Sequence, residues 1–354
     1  MRYPMGLCLL VACSAIRTGT AQEAEAPAKA FAAASRRRQE AVRSFEALIT
    51  RKDVIEQGGM TERTKSKPGE VHPPERTTIS SVNRIVLSGG MARYENNHPI
   101  YDSGIAGYKT HKAHSAFNGS LAKMHFPAGI GSSGNTNGLI RPDTPSFETR
   151  INALLPLMLG LRGQEGRITP HPVDLFRHAG AVTHQGKPCH AYSFKTERKR
   201  RLDLIVDPAL GWNIVQARDV AGDHLKLQID VSCSNEPLIG FYPSSWVLTY
   251  FDRAGKLSQT SVLAVTEAKF NHEPPKETFD IAFTPGTHVT DFRTEQEFMI
   301  ESDGTWRDIT PEVPWRRRTR WSWSSPWAWG LIAAGVLLVG LALARRWLLK
   351  RADP

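Results

Sequence analysis

Twelve histidines, two mid-chain cysteines, one glycine-rich run and one basic run are where this chain could do chemistry. His111 and His114 stand three apart, and His171 and His178 seven apart. Metal ligation needs such pairs aligned on a helix face or backed by an acid. The sequence offers neither, so no metal is expected and these histidines read as solvated loop or sheet residues. Gly129, Gly131 and Gly134 match G-x-G-x-x-G, but the Asn135-Thr136-Asn137-Gly138 that follows is poor at opening the helix a dinucleotide site requires. That run reads as a loop. G-x-S-x-G, H-E-x-x-H, C-x-x-C and Walker A patterns are absent, so no catalytic residue and no cofactor is assigned. Arg198-Lys199-Arg200-Arg201 has the charge to hold a phosphate, and a hairpin with solvated charges is the plainer reading. Asn118-Gly119-Ser120 has the form of a glycosylation acceptor.

The ends of the chain set where such groups would work. Residues 1–21 read as a signal peptide, with Arg2 as the charged start, an apolar stretch over 5–16, and Gly19-Thr20-Ala21 before the cleavage point. A second reading takes Leu10-Val11-Ala12-Cys13 as a lipoprotein box with Cys13 acylated. Residues 327–344 carry no charge and, as a helix, would span roughly 27 Å, close to the hydrocarbon thickness. Trp321, Trp323, Trp327 and Trp329 crowd one end, and Arg345 and Arg346 stop the other, as at a membrane interface. Basic residues flank this segment on both sides, so the signal peptide decides its orientation: body outside, residues 345–354 a short cytoplasmic tail. Arg316, Arg317, Arg318 and Arg320 then face anionic headgroups or simply line a solvated stalk. The net charge of +10 suits an anionic partner, and the address points to the bilayer and not to nucleic acid. Cys8 and Cys13 fall in the signal; Cys189 and Cys233 remain and are expected to pair in an oxidising compartment, two separate buried thiols being the alternative. Such a bridge would close a loop of about 45 residues, worth about 3–4 kcal/mol.

Between these ends lies a body over 22–290, followed by a polar, Arg- and Trp-rich stalk over 291–326. Residues 28–43 are Ala-rich and helix-favouring, with Arg36, Arg37 and Arg38 on a wet face, and run straight into a strand at Phe45, Ala47 and Ile49. Residues 56–78 and 127–146 are polar, with Gly and Pro, and read as loops. A helix follows, capped at Thr144-Pro145 and kinked or split at Pro156, with Phe147, Ile151, Leu154, Leu155, Met158 and Leu161 as its apolar stripe. The second half alternates with period two, most clearly at Leu225, Leu227, Ile229 and Val231 against Lys226, Gln228 and Asp230. Short turns between such strands predict an antiparallel meander. The fold class is α+β: a large curved antiparallel sheet, an incomplete barrel, with one or two packed helices. Apolar gaps between helix and sheet would form a ligand pocket.

The Ala-rich helix leading into a strand, Gly186-Lys187-Pro188-Cys189-His190-Ala191-Tyr192, and the strand Arg201–Val206 running into Asp207-Pro208 and Gly211-Trp212 together resemble the LolA-like superfamily of periplasmic lipoprotein carriers and sensor relatives, over about residues 28–290. The resemblance implies an incomplete barrel closed by helices around a greasy cavity, here with Phe147, Ile151, Leu154, Leu155, Met158, Leu225, Leu227 and Ile229 as cavity candidates. The membrane anchor departs from the soluble carriers, which must move between membranes. The expected role is a membrane-tethered binding module for a lipid, acyl chain or lipidated protein. A sensor subunit working through a membrane partner, or an envelope hydrolase, are the alternatives; no protein partner can be named from the sequence.

Overall fold

Strands that alternate apolar and polar residues bury one face and wet the other, and this chain builds them in two consecutive meanders. The computed structural model describes residues 21–60, 71–102, 107–127, 136–142, 153–163, 172–195 and 200–312. Helix α1 (Ala21–Ala41) leads into β1 (Ser44–Ile55), β2 (Thr77–Ser88), β3 (Met91–Asp102), β4 (Gly107–Phe117), β5 (Ala122–Phe126) and β6 (Asn137–Arg141). After the short helix α2 (Leu155–Arg162) come β7 (Arg177–His184), β8 (Lys187–Lys195), β9 (Arg200–Asp207) and β10 (Asn213–Ala221). The second meander ends with β11 (His224–Glu236), β12 (Gly240–Phe251) and β13 (Leu257–Phe270). Three short strands follow: β14 (His288–Asp291), β15 (Gln296–Ile300) and β16 (Trp306–Asp308).

All sixteen strands belong to one sheet, in the order β16-β15-β14-β6-β5-β4-β3-β2-β1-β13-β12-β11-β10-β9-β8-β7. The two meanders join where β1 pairs with β13, Phe45 opposite Phe270. Every pairing is antiparallel except β14 with β6. The sheet is open: β7 and β16 stand at opposite ends of the strand order.

One face of this sheet carries the core. Phe45, Ile49, Ile85, Tyr94, Tyr192, Leu204, Val206, Ile229, Trp246 and Leu263 share a single cluster with α1 and α2. From β3 to β8 the strand order contains eight spacings, which laid flat would cover roughly 38 Å. Helix α2 has 8 residues and is about 12 Å long. Both arms of the sheet meet in the cluster that holds this helix, so the sheet must curl around it. This is the α+β incomplete barrel expected from the pattern.

Several sequence expectations are corrected. Helix α2 starts at Leu155, with Pro156 in its first turn, where the missing N–H costs nothing. Residues 143–152, including Phe147 and Ile151, lie outside the described residues. The polar segment 127–146 contains β6, and the expected stalk from 291 onward carries β15 and β16 as part of the sheet as far as Asp308. The turn at Asp207-Pro208 is built as the motif suggested: Asp207 Oδ1 accepts from Ala209 N at 2.8 Å, and Gly211 closes it with φ +67°, a left-handed conformation that glycine adopts freely. Among the described residues no helix is long and apolar enough to cross a membrane; residues 1–20 and 327–344 lie outside them.

Candidate functional site

Helix α2 is apolar on every side. Its sequence is LPLMLGLR, and all eight residues are buried. A helix this short is marginal in water, so its packing holds it in place. Gly160 permits the close approach to β12: a Cβ there would lie 2.9 Å from Pro243 Cδ. The N-cap Leu154 makes no side-chain cap bond.

Three side chains tie the helix down through backbone carbonyls. Trp246 Nε1 on β12 donates to Ala153 O at 2.6 Å. Arg38 on α1 donates through Nε to Gly160 O at 3.0 Å, and its other nitrogens reach Gly211 O and Trp212 O in the β9–β10 turn. Arg162, at the end of α2, donates to Val42 O at 2.8 Å and to Arg43 O at 3.0 Å. Burial pushes the Arg38 pKa down to about 10, which leaves it charged at neutral pH. Sequence reading put Arg38 on a wet face. The structure buries it, because Phe31, Ala34, Ser35, Arg38 and Val42 form one inward stripe at helical spacing. That spacing was the available signal. Nothing in the sequence marks Arg162, whose partners lie about 120 residues away.

The cavity candidates divide. Leu154, Leu155, Met158, Leu227 and Ile229 come together in the main cluster, each 1–4% exposed. Leu225 is only half-buried and lies outside that cluster, near the tip of the β10–β11 hairpin opposite Val220. Where a greasy cavity is expected, α2 packs against β10 and β12 within the core cluster.

The expected disulfide is not formed: Cys189 and Cys233 are both free thiols. They sit on β8 and β11 with two strands between them. Three strand spacings are about 14 Å, whereas a disulfide needs Cα atoms within about 7 Å. Both thiols nevertheless line one cavity of about 290 Å³, together with Lys187, Asp207, Asp230 and Trp246. Burial and the charge of Asp207 raise both thiol pKa values, that of Cys233 to about 11. A wider cavity of about 640 Å³ is lined by the exposed Val82 and Val262 with Thr50, Lys52 and Pro99. These residues alternate with the core-facing ones on their strands, so this cavity opens on the other face of the sheet.

The chemistry-bearing residues picked out in the sequence are mostly engaged locally. His178 Nε2 meets His190 Nδ1 at 3.0 Å across β7 and β8, with Trp212 stacked on His190. His171, residues 128–135 and residues 196–199 lie outside the described residues. Arg200 pairs with Asp219, and Arg201 with Asp203 at 2.8 Å. Asn118 Oδ1 accepts from Ser120 and Leu121 within its own turn. Among the described residues no group of three or more His, Cys, Asp or Glu is placed to hold a metal.

Several solved structures are similar to this chain. One is a LolA superfamily protein from Nitrosomonas europaea, 10% identical, covering 72% of this chain and 97% of that one, with a TM-score of 0.42. Another is an outer membrane lipoprotein-sorting protein domain from Vibrio parahaemolyticus, 7% identical over 72% and 97%, also with a TM-score of 0.42. A third is a DUF1329 family protein from Desulfovibrio piger, 9% identical over 72% and 97%, with a TM-score of 0.37. No protein-family model and no curated protein matches the chain.

Proposed function

We propose that this chain is a membrane-tethered, extracytoplasmic binding module whose inner sheet face takes the apolar chain of a lipid, an acyl group or a lipidated protein. The observation that supports this reading is α2. An eight-residue helix with no polar face occupies the inner face of an open sheet, held by apolar contacts and a few ties to carbonyls. An acyl chain has the same chemistry as the side chains with which α2 packs on β12, the strand that carries Trp246 and Leu248. It can therefore replace them at little cost in apolar contact. Binding then means exchange of one apolar plug for another, which is why the docked state contains a packed core at this place. The tether rests on the uncharged run 327–344 between its Trp and Arg clusters, and the outward placement of the body on the signal-like residues 1–21.

Two measurements test this. The full chain, extracted into amphipol and examined by native mass spectrometry, is expected to carry acyl-chain adducts or to take up palmitate. A chain that arrives empty and takes up none contradicts the binding role. A reporter fused after Pro354 is expected to be active on the cytoplasmic side; activity only outside contradicts the tether.

A further inference from the structure

The inner face of the sheet changes from apolar to polar along four neighbouring strands, one step later on β1 than on β2 and β3 and a further step later on β13. Along β1 the inward residues run Phe45, Ala47 and Ile49, all buried in the core cluster, and then Arg51 and Asp53. Strand β2 runs Leu87 and Ile85, then Asn83 and Ser81; β3 runs Ala92 and Tyr94, then Asn96 and His98. The register puts Arg51 opposite Ser81, Asn83 opposite Asn96, and Asp53 opposite Ser261 of β13. The polar residues therefore converge on one patch that adjoins the apolar core directly.

Within that patch the charges cancel. Asp53, with 0% exposure, accepts from Arg51 Nε at 2.9 Å and from Gln259 Nε2 at 3.2 Å on the same oxygen. Its other oxygen, Oδ2, accepts no hydrogen bond and faces His98 Nε2 at 3.4 Å. His98 Nδ1 in turn meets Ser81 Oγ at 3.3 Å. Asn83 is 1% exposed, and both its amide nitrogen and its carbonyl oxygen are buried without a hydrogen-bond partner, as is Oδ1 of Asn96 directly opposite on β3. Buried polar groups are almost always satisfied, so an idle donor and idle acceptors side by side point to a ligand group that can both give and accept. A hydroxyl does both. A carboxylate or phosphate only accepts, and it would meet a patch whose one arginine is already neutralised.

We infer that this patch is a head-group site for an uncharged, hydroxyl-bearing amphiphile, its Asn83 and Asn96 receiving the hydroxyls of a glycerol or sugar head while the apolar chain lies along the adjoining core face. The inference rests on the binding role proposed above and specifies the class of lipid. The test uses the full chain in amphipol and three probes with the same saturated chain: monopalmitoylglycerol, hexadecyl glucoside and palmitate. One hydroxyl head should bind at least about tenfold more tightly than palmitate, the worth of roughly one hydrogen bond to a buried group. Which of the two wins identifies glycerol or sugar as the source. Asn83→Leu should erase that preference, so that the three probes bind alike, with the variant's thermal transition showing that it is folded. Equal binding of all three probes by the wild type, or a preference that survives in Asn83→Leu, overturns the head-group site alone. Failure to bind any probe overturns the binding role as well. Conversion of the glyceride to palmitate in the same samples overturns a purely binding site, because Ser81 would then be acting as a nucleophile through His98.

Discussion

Replacing Arg162 by methionine separates a plug that leaves from a helix that is merely core. Arg162 rides on α2, and its bonds to Val42 O and Arg43 O exist only while that helix is docked. Hydrogen bonds from a charged donor contribute about 1.5–3 kcal/mol each. Methionine fills the space of the stem and spares the cost of burying the guanidinium, so the lower end applies, about 3 kcal/mol for the pair. Denaturant unfolding of Arg162→Met should therefore show a loss near that figure. If α2 must undock to admit a chain, the same free energy returns as affinity: about 3 kcal/mol corresponds to roughly a hundredfold tighter palmitate binding. Both quantities come from one protein preparation, by chemical denaturation and by titration with a fluorescent fatty acid. A variant that loses stability while its affinity stays at the wild-type value refutes the idea that α2 and the ligand compete for one place.

Further outcomes follow from the same geometry. Gly160→Ala should destabilise by about 1–3 kcal/mol despite its better helix propensity, because the new Cβ meets Pro243 Cδ at 2.9 Å and Cγ at 3.0 Å; a melting temperature at or above wild type contradicts this packing. His178 and His190 both have pKa values held below 6.5, chiefly by burial, and His178 also by the neighbouring imidazole. The folded state therefore resists protons that the unfolded chain accepts. Stability should be full above about pH 6.5 and fall as pH drops below it, with a shallower fall in His178→Gln; a melting temperature flat from pH 7.5 to 5.5 contradicts the assignment. Cys189 and Cys233 should stay reduced and react slowly with a thiol reagent at pH 8, reacting fully only on unfolding, since burial raises both pKa values. Rapid labelling of the native protein, or ready oxidation to a bridge, contradicts their separation.

Much of this architecture was legible because burial imposes a period on the sequence. The alternation at Leu227 and Ile229, the Ala-rich run over 28–43, and the Asp207-Pro208 turn each report a local geometry that tertiary contacts then reinforce. Strand β7 left no such trace: it lies at the sheet edge, and none of its residues is buried, so no apolar period marks it. Strands β6 and β14 are short and gain their order by pairing in parallel across about 150 residues, which no local window can register. The site was legible in composition and not in arrangement. Leucines and Met158 announced an apolar helix, but that it packs against β10 and β12, and is tied there by Arg38, Arg162 and Trp246, depends on carbonyls supplied from distant segments. The polar patch was readable only in part. Asn83 and Asn96 interrupt apolar alternation on two separate strands, and only the register shows that they stand opposite each other.

The most direct measurement of the central claim is photolabelling of the full chain with a diazirine-bearing fatty acid, followed by peptide mapping. Exchange of α2 for an acyl chain places the label on the inner face, at Leu227, Ile229, Trp246 and Leu248. Labelling confined to the opposite face, around Val82 and Val262, would contradict it.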